Sequence, residues 1–464
     1  MSSNVSRSTD AAASGPLYAA HEKIYPREVH GRFQRLRLLA LAVILGGFYL
    51  LPWISWQGRQ LLLFDLPARR FHILWMTFYP QDFIYLALLL VMGAVTLLFF
   101  TALGGRLWCG YTCPQTLWTE LFLLIERHTE GDRARRMKLD AGPWTRQKVL
   151  RKGIKHSLWI LLALWTGFTF VGYFTPIREL AVKLATFELG GWESFWIGFY
   201  GFATWGNAGF MREQVCLYMC PYARFQGAML DRNSLIVSYD AGRGEPRGGR
   251  RRGVSPAAAG LGECIDCNLC VQVCPTGIDI RNGLQYECIN CASCVDVCDS
   301  VMDRMQYPRG LIRYTTENAL EGRPTRIVRP RVILYGLILL LIAGGLAFSL
   351  LTRNTVTFDV LRDRNALYRV VDGDWIENSY TLKITNRAGE PLRLTLDATG
   401  VPGAEAQIDP APLEVAPGAV ATAAARVRVP RAVVSGGSDI GLQLTTAEGE
   451  VLARRQTRPL APTR

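Results

Sequence analysis

The chain has 464 residues and a formal net charge of +13, enough length for several domains. Its hydrophobic fraction of 49% is gathered in runs rather than spread evenly, so a uniformly water-soluble globule is not expected. The basic balance does not point to nucleic acid. Arg243, Arg247 and Arg250 to Arg252 sit in a glycine-rich linker with no interleaved aromatics, as solvated basic runs or membrane-surface patches do.

In chain order, a polar tail (1–37) precedes the first apolar run, Leu38 to Trp56. That run ends in Pro52, Trp53 and Trp56 rather than in small residues, so it reads as an anchor and not a cleaved leader. Further runs are Phe83 to Leu103, Ser157 to Phe174, Trp192 to Met211 and Val332 to Leu351. The run from Trp192 carries Glu193 and Asn207, and by hydropathy alone competes with a buried soluble helix. Lys and Arg number six in the tail, three in 57–82, eleven in 104–155, two in 176–191 and sixteen in 212–331. Heavy and light segments alternate only if all five runs span, which predicts a cytoplasmic N-terminus and cytoplasmic 104–155 and 212–331. The expected organisation is therefore the tail 1–37, four membrane helices in 38–211, a cytoplasmic segment 212–331, a fifth span 332–351 and a periplasmic domain 352–464.

Cys109 to Gln115 reads CGYTCPQ, and Cys216 to Tyr222 reads CLYMCPY. The shared frame C-x-Y-x-C-P follows the second and the fourth run, so the front half reads as a repeat whose interface brackets a site. Proline biases the residue before it away from the helical region and suits the first position of a new helix. Helices are thus expected from Pro114, through PQTLWTELFLLIERH, and from Pro221. Cys113 and Cys220 would cap them, in a setting that favours thiolate. Each pair is a candidate for binding a soft metal such as Cu(I) or for dithiol–disulfide cycling. The bland alternative is four small buried hydrophobes.

Residues 264–275 read CIDCNLCVQVCP and 288–298 read CINCASCVDVC, the C-x2-C-x2-C-x3-C frame of two-cluster ferredoxins, within a module of about 259–305. Three closely spaced cysteines wrap one face of a cubane, and a short helix carries the fourth to the other cluster. Cys264, Cys267, Cys270 and Cys298 are expected to hold one [4Fe–4S] cluster, and Cys288, Cys291, Cys294 and Cys274 the other. Zinc would use four ligands in pairs, and disulfides are disfavoured on a cytoplasmic face. Pro275 follows the first frame but Asp299 the second, a departure expected to bear on potential or solvent access rather than on assembly. No nucleotide-binding fingerprint is evident. His21, His30, His72, His128 and His156 read as surface or interfacial residues rather than haem ligands.

After Leu351 cysteine disappears and short alternating segments follow: Val356–Leu361, Tyr380–Thr385, Leu392–Asp397, Leu413–Ala416, Ala421–Val429, Ile440–Thr446 and Val451–Gln456. Turn signals at Asp372-Gly373, Arg387-Ala388-Gly389 and Ala416-Pro417-Gly418 separate several of them. Seven short strands predict an immunoglobulin-like β-sandwich, with another small β-barrel as the alternative. The fold class expected is a polytopic α-helical membrane protein of five spans with a ferredoxin-like insert and a C-terminal all-β domain.

Five spans, twin C-x3-C-P motifs, a two-cluster insert and a C-terminal β domain together resemble the CcoG/FixG/RdxA family of cytochrome oxidase accessory proteins. The resemblance covers roughly residues 20–460. It implies a bacterial inner-membrane protein serving assembly of cbb3-type cytochrome c oxidase through reduction of Cu(II) to Cu(I). It also implies two [4Fe–4S] clusters, with Cys109, Cys113, Cys216 and Cys220 as the copper or redox pairs. Copper-transporting ATPase, copper chaperone or oxidase subunits are the partners implied, besides lipid, and a homo-oligomer is left open. Competing readings are a quinol dehydrogenase of the NapH/NosR type and a non-enzymatic, redox-sensing or copper-binding assembly factor. The sequence does not name the electron donor.

Overall fold

The structure is a computed structural model describing residues 23–56, 58–363, 368–388, 390–433 and 439–458. His21, most of the N-terminal tail and Gly389 lie outside the described residues.

The first apolar run forms α1 (Arg32–Leu50), which begins ahead of the apolar residues and closes in a 3-10 turn at Leu51–Trp53. A strand pair, β1 (Ser55–Trp56) and β2 (Arg59–Gln60), and an antiparallel sheet of β3 (Leu62–Asp65), β4 (Arg70–Ile73) and β5 (Met76–Phe78) fill the connection to α2 (Phe83–Gly104). Next come α3 (Leu107–Tyr111), α4 (Pro114–Glu130), α5 (Arg133–Ala141), α6 (Arg146–Val171), α7 (Ile177–Ala185) and α8 (Gly191–Thr204). Among the described residues four helical stretches are long and apolar enough to cross a membrane: Arg32–Trp53, Phe83–Gly104, Arg146–Val171 and Pro330–Leu351. The weaker run is not among them. Its α-helix has 14 residues and continues as a π-helical turn at Trp205–Met211. The wide turn leaves carbonyls for side chains, and Gln115 Nε2 donates to Asn207 O (2.9 Å) and Arg212 O (3.0 Å).

Residues 212–331 hold a second π-helical turn (Val215–Met219), α9 (Pro221–Met229), the short turns α10 (Ala241–Gly244), α11 (Leu269–Gln272) and α13 (Glu317–Leu320), and the longer α12 (Ser293–Met305). The ferredoxin-like module is wider than its cysteine frames, because β6 (Ile236–Tyr239) pairs antiparallel with β7 (Ile312–Thr315) across it. Its core joins Val237, Ile280, Val295, Val301, Met302, Leu311 and Ile312. The last long helix is α14 (Pro330–Leu351), packed beside α2.

The C-terminal domain is a two-sheet sandwich. One sheet runs β12 (Glu405–Asp409), β14 (Val420–Pro430), β10 (Trp375–Asn386), β8 (Val356–Arg362), with β9 (Arg369–Val371) also on β10. The other runs β13 (Leu413–Val415), β11 (Leu392–Thr399), β15 (Ile440–Thr446), β16 (Val451–Thr457). All seven expected strands are present, and β9 and β12 are additional. Alternating inward residues such as Phe358, Leu382, Ile384, Leu394, Val427 and Leu442 fill the space between the sheets. At the β9–β10 turn Asp372 and Gly373 both have positive φ, 52° and 76°, as a tight hairpin requires.

The two ends of the helical layer carry different segments. At one end Arg353 Nη2 pairs with Asp82, Arg387 with Asp82 at 3.6 Å, and Arg70 donates to Pro417 O, tying 57–82 to the β-sandwich. At the other end the N-terminus of α1, the segment after α2 and the ferredoxin-like module meet.

Candidate functional site

Two cavities are ringed by cysteine. One is lined by Cys264, Cys267, Cys270 and Cys298 with Ile265, Leu269, Val301 and Ile312. The other is lined by Cys274, Cys288, Cys291 and Cys294, with Cys270 at its border and Pro275, Ile280 and Ile289 around it. Cys298 thus lies with the cysteines of the first frame and Cys274 with those of the second. The backbone repeats too. In the first frame Asp266 and Asn268 are left-handed (φ 54° and 56°), and in the second Asn290 and Ala292 are (φ 54° and 57°). Three of these four residues are Asp or Asn, which visit that region most readily after glycine. The repeated turns curl each frame around its cavity.

Burial raises the Cys294 thiol well above its ordinary value, and Cys291, Cys288 and Cys274 add to the effect. Such a set of facing buried thiols is poor as bare thiolates and suits a group that neutralises them. Among the described residues no three Cys, His, Asp or Glu side chains are close enough to cage one ion. Thiols spread around a cavity fit the larger body of an iron–sulfur cluster better than a single zinc ion.

The departure at Asp299 has a local cause. In the first frame the helix stops after Gln272, and Cys274-Pro275 leaves it. In the second frame α12 continues through Cys298 and Asp299 to Met305, where proline would break the ladder. The Asp299 carboxylate instead accepts from Gly310 N at 2.9 Å.

The twin frames fold as their prolines direct. Cys113 (φ −62°, ψ 127°) and Cys220 (φ −80°, ψ 109°) are the extended residues preceding α4 and α9. The frames are not equivalent, however. Cys109 lies in the α-helical turn α3, and Cys216 in the π-helical turn. Tyr111 meets Tyr314 of the module, OH to OH at 3.1 Å, whereas Tyr218 is exposed.

The four thiols share one neighbourhood. Cys109 lies within electrostatic reach of Cys113, Cys216 and Cys220, and Cys113 of Cys220. Cys109 Sγ donates to Gln226 Oε1 at 3.1 Å, and Gln226 is a buried residue of α9. Sequence reasoning passed over Gln226, which only a contact across 117 positions reveals. The expectation of thiolate at Cys113 is corrected. Burial pushes Cys109 and Cys216 up to about 12. Cys113 is also raised by burial, although the N–H groups of Gln115 and Thr116 oppose the rise.

The twin pairs sit directly on the second cluster frame. A Cβ on Gly110 would lie 2.7 Å from Ile289 O and 3.1 Å from Asn290 C and O. Gly110, inside CGYTCPQ, is therefore glycine because α3 rests on the backbone between Cys288 and Cys291. Gly105, with φ 58°, lets the chain turn beneath Leu235 O and Asn290. Arg106 follows and bridges the regions. Its Nη2 donates to Ala223 O at 2.8 Å, its Nη1 donates to Tyr286 O, and its charge reaches Cys109, Cys216 and Cys288.

Buried charge holds this end together. Asp296 of α12 caps α1 from outside, accepting from Gln34 N (2.8 Å) and Phe33 N (3.2 Å). Arg37 pairs with Glu120 (3.2 Å) and donates to Ser293 Oγ (3.1 Å). Glu126, fully buried on α4, faces Arg212 (2.7 Å), Lys23 (3.5 Å), Arg136 (3.6 Å) and Lys155 (4.0 Å). Burial alone would raise its carboxyl, but Arg212, Lys23, Lys155 and Arg136 prevail and hold it at about 2. The remaining described histidines are not ligands of a common site. His72 contacts Arg59 and Thr77, and His156 packs against Trp159 and Phe210.

Comparison with known proteins identifies the family. A 4Fe-4S dicluster domain model matches residues 211–317, and a 4Fe-4S binding domain model matches 86–130, which contains only Cys109 and Cys113. The model of the IG-like fold at the C-terminal of FixG matches 346–462. A crystal structure of a FixG-related protein from Vibrio parahaemolyticus is 26% identical, covering 23% of this chain and 94% of its own, with a TM-score of 0.20. Protein RdxA of Cereibacter sphaeroides is 40% identical over 412 residues, 85% of this chain and 86% of that protein. Nitrogen fixation protein FixG of Rhizobium meliloti is 40% identical over 435 residues, 86% of this chain and 83% of that protein. With its dicluster domain, FixG-type immunoglobulin-like domain and full-length similarity, the chain belongs to the FixG/RdxA family of iron–sulfur proteins.

Proposed function

We propose that this chain is an inner-membrane electron-transfer protein that reduces Cu(II) to Cu(I) for assembly of a cbb3-type cytochrome c oxidase. In this reading the helical layer spans the membrane with the ferredoxin-like module on the cytoplasmic side. The β-sandwich lies on the other side, where it would dock an oxidase subunit or copper protein. The observation that carries the reading is the seat of Gly110: the helix bearing Cys109 rests on the backbone between Cys288 and Cys291.

Cys264, Cys267, Cys270 and Cys298 would hold one [4Fe–4S] cluster, and Cys274, Cys288, Cys291 and Cys294 the other. When bound, each cluster supplies storage of a single electron. The protein's own contribution is placement. Asp266, Asn268, Asn290 and Ala292 shape the cradles, and Gly105 and Gly110 bring the twin pairs against the second. Gln226 holds the Cys109 thiol. Cu(II) is the substrate: each ion takes one electron, and soft sulfur ligands favour the Cu(I) product. The twin thiols do not form a ready-made cage, which suits an ion that is bound, reduced and released. Copper binding displaces thiol protons, because burial keeps Cys109 and Cys216 protonated at neutral pH.

The test is anaerobic reduction of the cluster-loaded protein in detergent, then mixing with Cu(II). Cluster absorbance is followed while a chromogenic chelator traps Cu(I). Stoichiometric Cu(I) that is lost in a Cys109→Ser/Cys216→Ser variant with intact clusters supports the reading. Unchanged Cu(I) yield in that variant removes the twin pairs from the reaction.

A further inference from the structure

A cavity of about 410 Å³ lies between α9 and the loop leading to Cys288, lined by Arg106, Ala228, Leu230, Leu284, Tyr286 and Cys288 among others. That is the size of a small-molecule site, whereas the two cysteine-ringed cavities accommodate about 20 and 30 Å³ by the same measure. One wall is thus a residue of the second cysteine quartet, so an occupant would sit one residue from a redox centre. Arg106 is 5% exposed, and its Nε–H has no partner among the described residues although Nη1 and Nη2 are both engaged. The lining is otherwise amphipathic, with Leu230, Ile236, Leu284 and Tyr286 alongside Gln285 and Asn290.

The cavity also lies at a telling height. Leu235 N bonds to Leu103 O at 3.1 Å, and Arg329, just before α14, donates to Ala102 O. The cavity therefore sits where α2 ends and α14 begins, with the exposed side chains of Leu284 and Phe225 close by. An occupant arriving along those apolar helices would be lipid-soluble. A nicotinamide dinucleotide would call for a glycine-rich phosphate cradle, which the sequence lacks.

We propose that this cavity binds the head group of a membrane quinol, the two-electron donor to the clusters. The inference rests on the electron-transfer reading above and supplies the donor that reading lacks. The ring would lie against Leu230 and Tyr286, with its oxygens toward the polar part of the lining that Arg106, Gln285 and Asn290 form. Oxidation breaks both O–H bonds. The two electrons would pass one to each of the oxidised clusters that the two cysteine quartets would hold, the two protons would go to water on the open side, and the quinone would leave. Arg106 Nη1 donates to Cys288 O at 3.4 Å, and its charge there would favour the reduced, more negative state of a cluster held by that quartet.

The test uses the full-length, cluster-loaded protein in detergent and a photoreactive short-chain ubiquinone. Labelling is expected on peptides containing 224–230 and 284–288, with at least a tenfold loss in Ala228→Trp, which fills the cavity without removing a hydrogen bond. Leu284→Glu at the edge is the second variant, should the first fail to load clusters. Short-chain ubiquinol is expected to reduce the clusters of the wild type and not those of a variant that has lost labelling. Labelling elsewhere, or cluster reduction by quinol that both variants retain, overturns the proposal. Labelling that anionic phospholipid abolishes, with no reduction by quinol, makes the cavity a lipid headgroup site and also overturns it. Dithionite bypasses the cavity, so Cu(I) yield from dithionite-reduced wild-type protein tests the copper reading separately.

Discussion

The chain carries two kinds of cysteine assembly. The eight cysteines of the ferredoxin-like module are grouped by short-range geometry, with left-handed residues at matching positions of two adjacent frames. The four of the twin pairs come from stretches separated by the whole of α4 to α8, and only packing makes them neighbours. A local frame specifies its ligands through spacing. A distributed site depends on whatever holds its pieces together, here Gly110 against Ile289, Gln226 against Cys109, and Arg212 against Glu126. The local set should therefore fail through its own cysteines, and the distributed set through residues that are not cysteines.

The largest effect expected is on the local set. Cys291→Ser should lower bound iron from about eight to about four atoms per chain, assayed with acid-labile sulfide on purified protein. Iron that stays at the wild-type level would remove Cys291 from the ligand set. Next, Glu126→Gln leaves Arg212, Lys23, Arg136 and Lys155 without their shared counter-charge. It should cost about 3–5 kcal/mol in thermal or denaturant unfolding while the iron content of folded protein stays unchanged. Loss of iron with retained stability would reverse that assignment.

The same carboxylate has a pH signature. Its folded value, about 2, lies below the unfolded value of about 4.3, so its contribution is complete above that pH and fades as pH falls toward 2. The wild type should thus lose melting temperature more steeply than Glu126→Gln between about pH 4.3 and pH 2. Equal slopes would show that Glu126 is not the titrating group.

Gly110→Ala targets the joint between the two sets. Overpacking against Ile289 O should cost about 1–3 kcal/mol and slow Cu(I) production more than it lowers iron content. The smallest effect belongs to Asp299→Asn, which keeps an acceptor for Gly310 N and should change stability by less than about 1 kcal/mol. Asp299→Pro, the residue of the first frame, should instead cost about 3 kcal/mol by breaking α12.

Much of this protein was legible in the sequence because the signals are short-range. Hydropathy marks α1, α2, α6 and α14, cysteine spacing marks the quartets, proline marks the starts of α4 and α9, and alternation marks seven strands of the sandwich. Each signal acts within about one turn or one hairpin, where backbone geometry leaves few choices. What the tertiary structure alone decided lies between distant segments. The π-helical close of the weak fourth run meets Gln115, and Asp296 caps a helix that begins 264 positions away. β6 and β7 embrace the module, and burial overrides the helix ends at Cys113. The reason is physical. Desolvation and Coulomb terms depend on which surfaces meet, and a chain of this length can bring almost any two surfaces together, so spacing along the sequence carries no record of them.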